Sequence, residues 1–118
     1  MAVSVNPTTF REKLAEFKRR AVAAHDEPAR LALCREFATY RLVDHRCKSY
    51  AERREQWANR TQKMHRHDWR GQTCFVCHGA ATQRHHIIAL INGGLPTKRN
   101  TVWIDAKCHA RIHPWMVT

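Results

Sequence analysis

Residues 72–113 read QTCFVCHGAATQRHHIIALINGGLPTKRNTVWIDAKCHARIH, and this stretch decides the fold of the C-terminal third. Turn-forming residues crowd into it and its edge: Gly71, Gly79, Gly93, Gly94 and Pro96. Two short β-type runs stand among them, His86-Ile87-Ile88 and Thr101-Val102-Trp103-Ile104. Asp105 then opens a last helix, AKCHARIH, which Pro114 ends. The order is strand, loop, strand, helix, a ββα unit. Such a unit buries little core alone, so it needs a metal or the helices that precede it.

The side chains that carry chemistry lie in the same stretch. His85 and His86 are adjacent at the start of a strand, so they point to opposite faces. One can bind a metal while its neighbour stays free. His109 and His113 are four apart on a helix, so both can reach one ion. Cys74-x-x-Cys77 and Cys108 form a second group with metal-ligand spacing. Of the other histidines, His25, His45, His65 and His67 read as scattered surface residues.

The run His85-His86-Ile87-Ile88, then Gly93-Gly94, Asn100 and Cys108-His109-x-x-x-His113, resembles the motif of the HNH endonucleases, also called ββα-metal. The steps His86 to Asn100, Asn100 to His109 and His109 to His113 are 14, 9 and 4 residues. Cys74-x-x-Cys77 matches the zinc-finger-bearing branch of that family. The resemblance covers roughly residues 72–113 and none of the first 70. It implies that His86 is the general base and that Asn100 ties the loop between the strands to the base and orients it. It implies that His85, His109 and, in part of the family, His113 ligate one divalent catalytic metal, Mg, Mn, Ni or Zn. Because His113 precedes Pro114, it is expected to swing out of helical geometry and to bind weakly. A structural zinc is expected on Cys74, Cys77, Asp105 and Cys108. Here the sequence departs from the branch, which places Cys at the position of Asp105. Asp105 reads either as a zinc ligand or as a helix N-cap, and His78 is an alternative fourth donor.

The chemistry of phosphodiester cleavage agrees with this set. An imidazole with an ordinary pKa near ~6.5 is a suitable base at neutral pH. A divalent ion with two or three neutral imidazole ligands keeps positions open for phosphate and water. A base that also bound the metal would lose its lone pair, so the doublet must divide its roles.

The first 70 residues read as a helical, basic extension, packed on residues 71–118, in a mostly helical α+β chain. Thr9 with Glu12 and Ser49 with Glu52 form capping boxes. Asp26-Glu27-Pro28 separates the first two helices. Apolar stripes are Phe10, Leu14, Phe17, Ala21; then Leu33, Phe37, Tyr40; then Tyr50, Trp57, Thr61, Met64. Cys34 and Cys47 read as small buried hydrophobes.

The net charge is +11, which makes nucleic acid the expected partner, and the resemblance implies DNA. Between Arg46 and Arg70 stand eight Lys/Arg and three acids, either a solvated face or an arm that tracks phosphates through Lys63, Arg66 and Arg70. Arg84 and Arg111 flank the proposed site, either as phosphate contacts or as surface charge. No apolar run spans a bilayer and no signal-peptide core is visible, so no membrane partner is expected. The odd cysteine count argues against a disulfide framework and for a reducing compartment. The expectation is a cytoplasmic, bacterial or phage-encoded DNA endonuclease, monomer or homodimer. The rival readings are a non-catalytic zinc-binding nucleic-acid module and a phage packaging or repair accessory.

Overall fold

Helix α1, Pro7–Ala23, buries Phe10, Leu14 and Phe17 along one stripe. It begins at Pro7, so Thr9 lies inside its first turn and is not the cap the sequence predicts; proline suits a first turn because its missing N–H has no partner there. Helix α2, Glu27–Ala38, is capped by Asp26, whose carboxylate accepts from Ala29 N–H at 2.8 Å. It buries Leu31, Leu33, Cys34, Phe37 and Ala38. The two helices meet edge to face through Phe17 and Phe37, ring centroids 5.2 Å apart. At the rim Arg20 donates to Glu36 at 2.8 Å, and Tyr40 donates its hydroxyl to the same carboxylate at 2.9 Å, which holds Glu36 down at about 2.

The computed structural model describes residues 2–4, 7–43, 49–63 and 70–113. His45, Cys47, Met64, His65, Arg66, His67 and Pro114, and the side chains of Thr61 and Lys63, lie outside what it describes. Four helices are present among the described residues, with two small sheets, giving a mostly helical α+β fold. One sheet was not legible in the sequence: β1, Ala2–Ser4, pairs in parallel with β2, Arg41–Val43. The other is the hairpin of β3, Gln83–His86, and β4, Thr101–Ile104, followed by α4, Ala106–Ile112. The ββα unit is therefore present, with one correction. The histidine doublet ends its strand instead of starting it, because Ile87 and Ile88 are drawn into the loop that follows.

That unit shares one core with the helical extension. Phe10, Phe17, Phe37 and Cys34 belong to the same buried cluster as Val76, Ile88, Ile104 and Ile112. Phe75 packs on Phe17 at 5.6 Å. Arg30 on α2 donates to the carbonyl of Val76 at 3.0 Å, and Arg35 to that of Arg111 at 2.9 Å. The small ββα unit thus gains the apolar burial it lacks from α1 and α2.

Helix α3, Tyr50–Lys63, has the expected capping box: Ser49 Oγ accepts from Glu52 N–H at 3.2 Å, and Glu52 reaches back to Ser49 N–H at 3.4 Å. Its buried face differs from the stripe the sequence predicts. Tyr50 is exposed, whereas Arg53 is only 7% exposed. The Arg53 guanidinium donates from Nε and Nη2 to the carbonyl of Leu90, at 3.0 and 2.7 Å. This arginine serves the fold and drops out of the solvated basic face.

Candidate functional site

The hairpin register divides the histidine doublet. Gln83 pairs with Ile104, Arg84 with Trp103, His85 with Val102 and His86 with Thr101. Side chains alternate along a strand, so Gln83 and His85 share the face toward α4, and Arg84 and His86 share the other.

On the α4 face His85 is fully buried beside His109 and His113, with ring centroids 5.3 and 5.0 Å away. One ligand nitrogen from each of the three lies within 4.8 Å of the others. A nitrogen ligand sits ~2.0–2.1 Å from zinc, so a small inward rotation lets all three share an ion. His85 Nε2 is buried with no hydrogen bond, a costly arrangement that a metal would relieve. His113 does leave helical geometry (φ −119°, ψ 61°), as its place before Pro114 predicts. Its N–H still bonds His109 O at 3.1 Å, and its ring stays in the cluster at 8% exposure instead of swinging out.

Burial lowers the pKa of every imidazole here. His85 falls well below the ordinary histidine range, with neighbouring imidazoles adding to the effect. His109 and His113 are lowered by the same burial. The set is therefore neutral at pH 7, the form in which histidine binds a metal.

His86 stands apart from this set. Its ring meets Trp57 of α3 edge to face, centroids 4.5 Å apart, and its Nε2 is buried without a hydrogen bond. Burial first, and then His109, brings its pKa down to about 4.

Asn100 is completely buried and grips the chain just beyond the doublet. Its Oδ1 accepts from Ile88 N–H at 3.0 Å, and its Nδ2 donates to the carbonyls of Ile88 at 2.8 Å and Leu95 at 3.1 Å. Ile87 N–H donates to Asn100 O at 2.7 Å. The expected tie between Asn100 and the loop is present. Its bonds end on backbone, so it fixes the main chain after His86 and not the imidazole itself. Gly94 completes the clamp: a Cβ there would lie 1.8 Å from the carbonyl oxygen of Ile88.

The second cluster is Cys74, Cys77, Asp105 and Cys108, with ligand atoms within 4.8 Å of one another. Cys74 and Cys77 sit on a tight turn closed by Cys74 N–H to Gly79 O at 2.7 Å, and Gly79 N–H points at Cys77 Sγ at 3.4 Å. Asp105 takes the cap role and stands within the group able to hold an ion. Its Oδ1 caps α4 by accepting from Cys108 N–H at 2.7 Å, and its Oδ2 lies 2.9 Å from Cys77 Sγ. His78 is exposed, holds a left-handed backbone (φ 64°) and is not in the set. The chain therefore brings together two groups, each able to hold a metal ion, on successive faces of one seven-residue helix.

Comparison with protein-family models, with curated proteins and with solved structures gave no match.

The basic residues fall in different places. Arg84 lies on the His86 face, over the Trp103 ring at 4.2 Å, and donates to Thr101 Oγ1 at 3.1 Å. Arg111 is turned away from the histidines toward α2, where it meets Glu27 at 3.4 Å; two residues on a helix differ by about 200°, which takes it off the face of His109 and His113. Arg70 is exposed just before the Cys74–Cys77 turn. Three residues near the histidines were missed from sequence. Gln83 Oε1 sits 2.8 Å from His109 Nδ1, which leaves Nε2 of that ring for a metal. Its place two residues before His85, on the same strand face, was the available signal. Arg53 and Trp57, one helical turn apart on α3, read locally as basic face and apolar stripe, and nothing in the sequence tied them to the Leu90 loop or to His86. No helix of the described residues is long and apolar enough to cross a membrane.

Proposed function

We propose that this chain is a metal-dependent endonuclease of the HNH type that hydrolyses phosphodiester bonds in DNA. The observation that carries the reading is the division of the doublet: His85 belongs to a three-imidazole cluster, while His86, its neighbour, lies on the opposite face and outside it.

Hydrolysis joins a water oxygen to phosphorus and breaks the bond to the 3′-oxygen. His86 takes the proton from the attacking water, and its low pKa means it starts in the unprotonated form a base requires. An anionic phosphodiester beside the ring raises its affinity for that proton as the reaction proceeds. A divalent ion on His85, His109 and His113 would supply positive charge opposite the scissile phosphate and the departing oxygen. Gln83 holds His109 in one tautomer, and Asn100 with Gly94 fixes the backbone from which His86 projects. Arg84, on the His86 face, is the basic side chain we assign to the substrate phosphates. Zinc is our assignment for the cluster of three thiols and one carboxylate, a donor set that suits it. The net charge of +11 supports a polyanionic substrate.

The test is plasmid nicking with Mg²⁺, Mn²⁺, Ni²⁺ or Zn²⁺. His86→Ala should lower cleavage by at least ~10²-fold, the scale for losing a general base, with metal binding by calorimetry unchanged. His85→Ala or His109→Ala should lose the metal. Full activity of His86→Ala refutes the assignment. DNA binding without cleavage in every ion returns the chain to a non-catalytic zinc-binding module. Neutralising Lys63, Arg66 and Arg70 should flatten the salt dependence of duplex binding by about 0.9 per lost phosphate contact.

A further inference from the structure

Among the described residues, the basic helix α3 has no role in the chemistry set out so far, yet it makes the closest ring contact to His86. Asn100 fixes the backbone beside His86 and leaves the ring to find its own support. A side chain on a fixed backbone still rotates among staggered wells unless something packs against it. The Nε2 of His86 makes no hydrogen bond, so no polar contact at that nitrogen selects a rotamer. The ring meets Trp57 at 4.5 Å with the planes at 74°, the edge-to-face arrangement that aromatic pairs prefer.

Helix α3 is held for this purpose by its own preceding turn. Arg53 is four residues before Trp57, so the two share a face. The Arg53 guanidinium closes as a fork on the carbonyl of Leu90, in the loop that follows the histidine doublet. One side chain of the face therefore grips the loop, and the other packs on the ring. A tryptophan indole is rigid, so its position is fixed once the helix is fixed.

We infer that Trp57 is a positioning residue that holds the His86 imidazole in its working rotamer, with Arg53 anchoring the helix that presents it. This rests on the reading of His86 as the base. It gives the N-terminal extension a part in the reaction.

The experiment compares Trp57→Leu and Trp57→Phe with wild type and His86→Ala in the full-length chain, using plasmid nicking and NMR of the histidine ring protons. Trp57→Leu keeps apolar bulk and removes the aromatic face. It should lower kcat roughly 3- to 10-fold while KM and calorimetric metal affinity stay unchanged, and Trp57→Phe should restore most of the rate. The His86 ring protons should be displaced by the indole ring current in wild type, and should lose that displacement in Trp57→Leu. Wild-type kcat in Trp57→Leu, with His86→Ala inactive, overturns the inference and leaves the base assignment standing. Wild-type cleavage by His86→Ala overturns the base assignment itself. If Trp57→Leu does not fold, the ring-current displacement in wild type and the rate of Trp57→Phe decide: an undisplaced His86 signal overturns the inference.

Discussion

Asp105 and Cys77 meet through carboxylate Oδ2 and thiol Sγ at 2.9 Å, while the other oxygen of the same carboxylate caps α4. One residue thus joins a metal-ligand set to the start of a helix, and three substitutions separate its roles. Asp105→Asn keeps a good cap but offers a neutral amide, so bound zinc should fall while metal-free stability changes little. Asp105→Cys should keep or tighten zinc, because thiolate suits that ion, and lose the cap. Asp105→Ala should lose the metal and about 1 kcal/mol of helix stability. Metal per chain by elemental analysis and thermal midpoints of stripped protein read the two effects separately.

Asn100 and Gly94 form a single device around Ile88. In Asn100→Leu the Ile88 N–H and C=O both lose their buried partners, at roughly 1–3 kcal/mol for each unsatisfied group. Gly94→Ala forces its methyl into the Ile88 carbonyl and the Asn100 amide, so the loop must open. Both variants should unfold at lower urea than wild type. If either is as stable as wild type, the clamp is not needed to hold the loop.

The buried imidazoles set a pH dependence. His86 has a folded-state pKa of about 4 against an unfolded value near ~6.5. Between those values the unfolded chain binds more protons than the folded one. Stability from this group is therefore complete above about pH 6.5 and is lost as pH falls toward 4. For His86 the loss between pH 7 and pH 5 should be on the order of 2 kcal/mol. His85, His109 and His113, also lowered, act in the same direction. Cysteine ligands titrate in acid too, so the informative quantity is a difference. Without divalent ion at the histidine site, wild type should lose stability relative to His86→Asn as the solution is acidified. Parallel urea curves at pH 7 and pH 5 would show that burial does not penalise the charged ring.

How the sequence announces each feature follows from how local it is. The α4 pair His109 and His113, the doublet, the Asp26-Glu27-Pro28 break and the Ser49 cap are read within a few residues, where one helical turn or one strand alternation decides. The β1–β2 pairing is not: three residues show no period, and Ala2–Ser4 finds Arg41–Val43 only through the folded chain. Arg53 reads with its charged neighbours as part of a solvated face or a phosphate-tracking arm, because charge is a good local guide to exposure. Its burial depends on the carbonyl of Leu90, which comes from another element. The end of β3 was misplaced for a similar reason. Ile87 and Ile88 have strong β propensity, but the Asn100 side chain takes the backbone groups that a strand would have used.

Gln83 accounts for how His109 is aimed. Its amide oxygen accepts from Nδ1–H, which leaves the Nε2 lone pair for a metal. Gln83→Leu should weaken Ni²⁺ or Mn²⁺ binding at the histidine site by about 10- to 100-fold, the range for losing such a partner. Gln83→Glu should bind more tightly, since a carboxylate makes the ring a better donor. Equal affinities by calorimetry in all three proteins would show that packing alone orients His109.

Cys108 and His109 are consecutive residues of α4, and they belong to different metal-ligand groups. A helix of seven residues is too short to be stable alone, so its position depends on what holds its ends. The sulfur cluster holds the first end through Asp105 and Cys108, and the histidine cluster draws on the last turns. An ion held by the first group would therefore pre-place His109 and His113 for an ion in the second. Coupling of this kind must be reciprocal for binding free energies. Cys108→Ser, which weakens the sulfur site and touches no imidazole, should lower calorimetric Ni²⁺ affinity at the histidine site about tenfold relative to wild type loaded with one zinc. His109→Ala should leave one zinc bound but make it easier to remove with a chelator in the presence of Ni²⁺. If Cys108→Ser remains folded by circular dichroism and binds Ni²⁺ as tightly as wild type, the two sites act independently and α4 is held by its packing against α2.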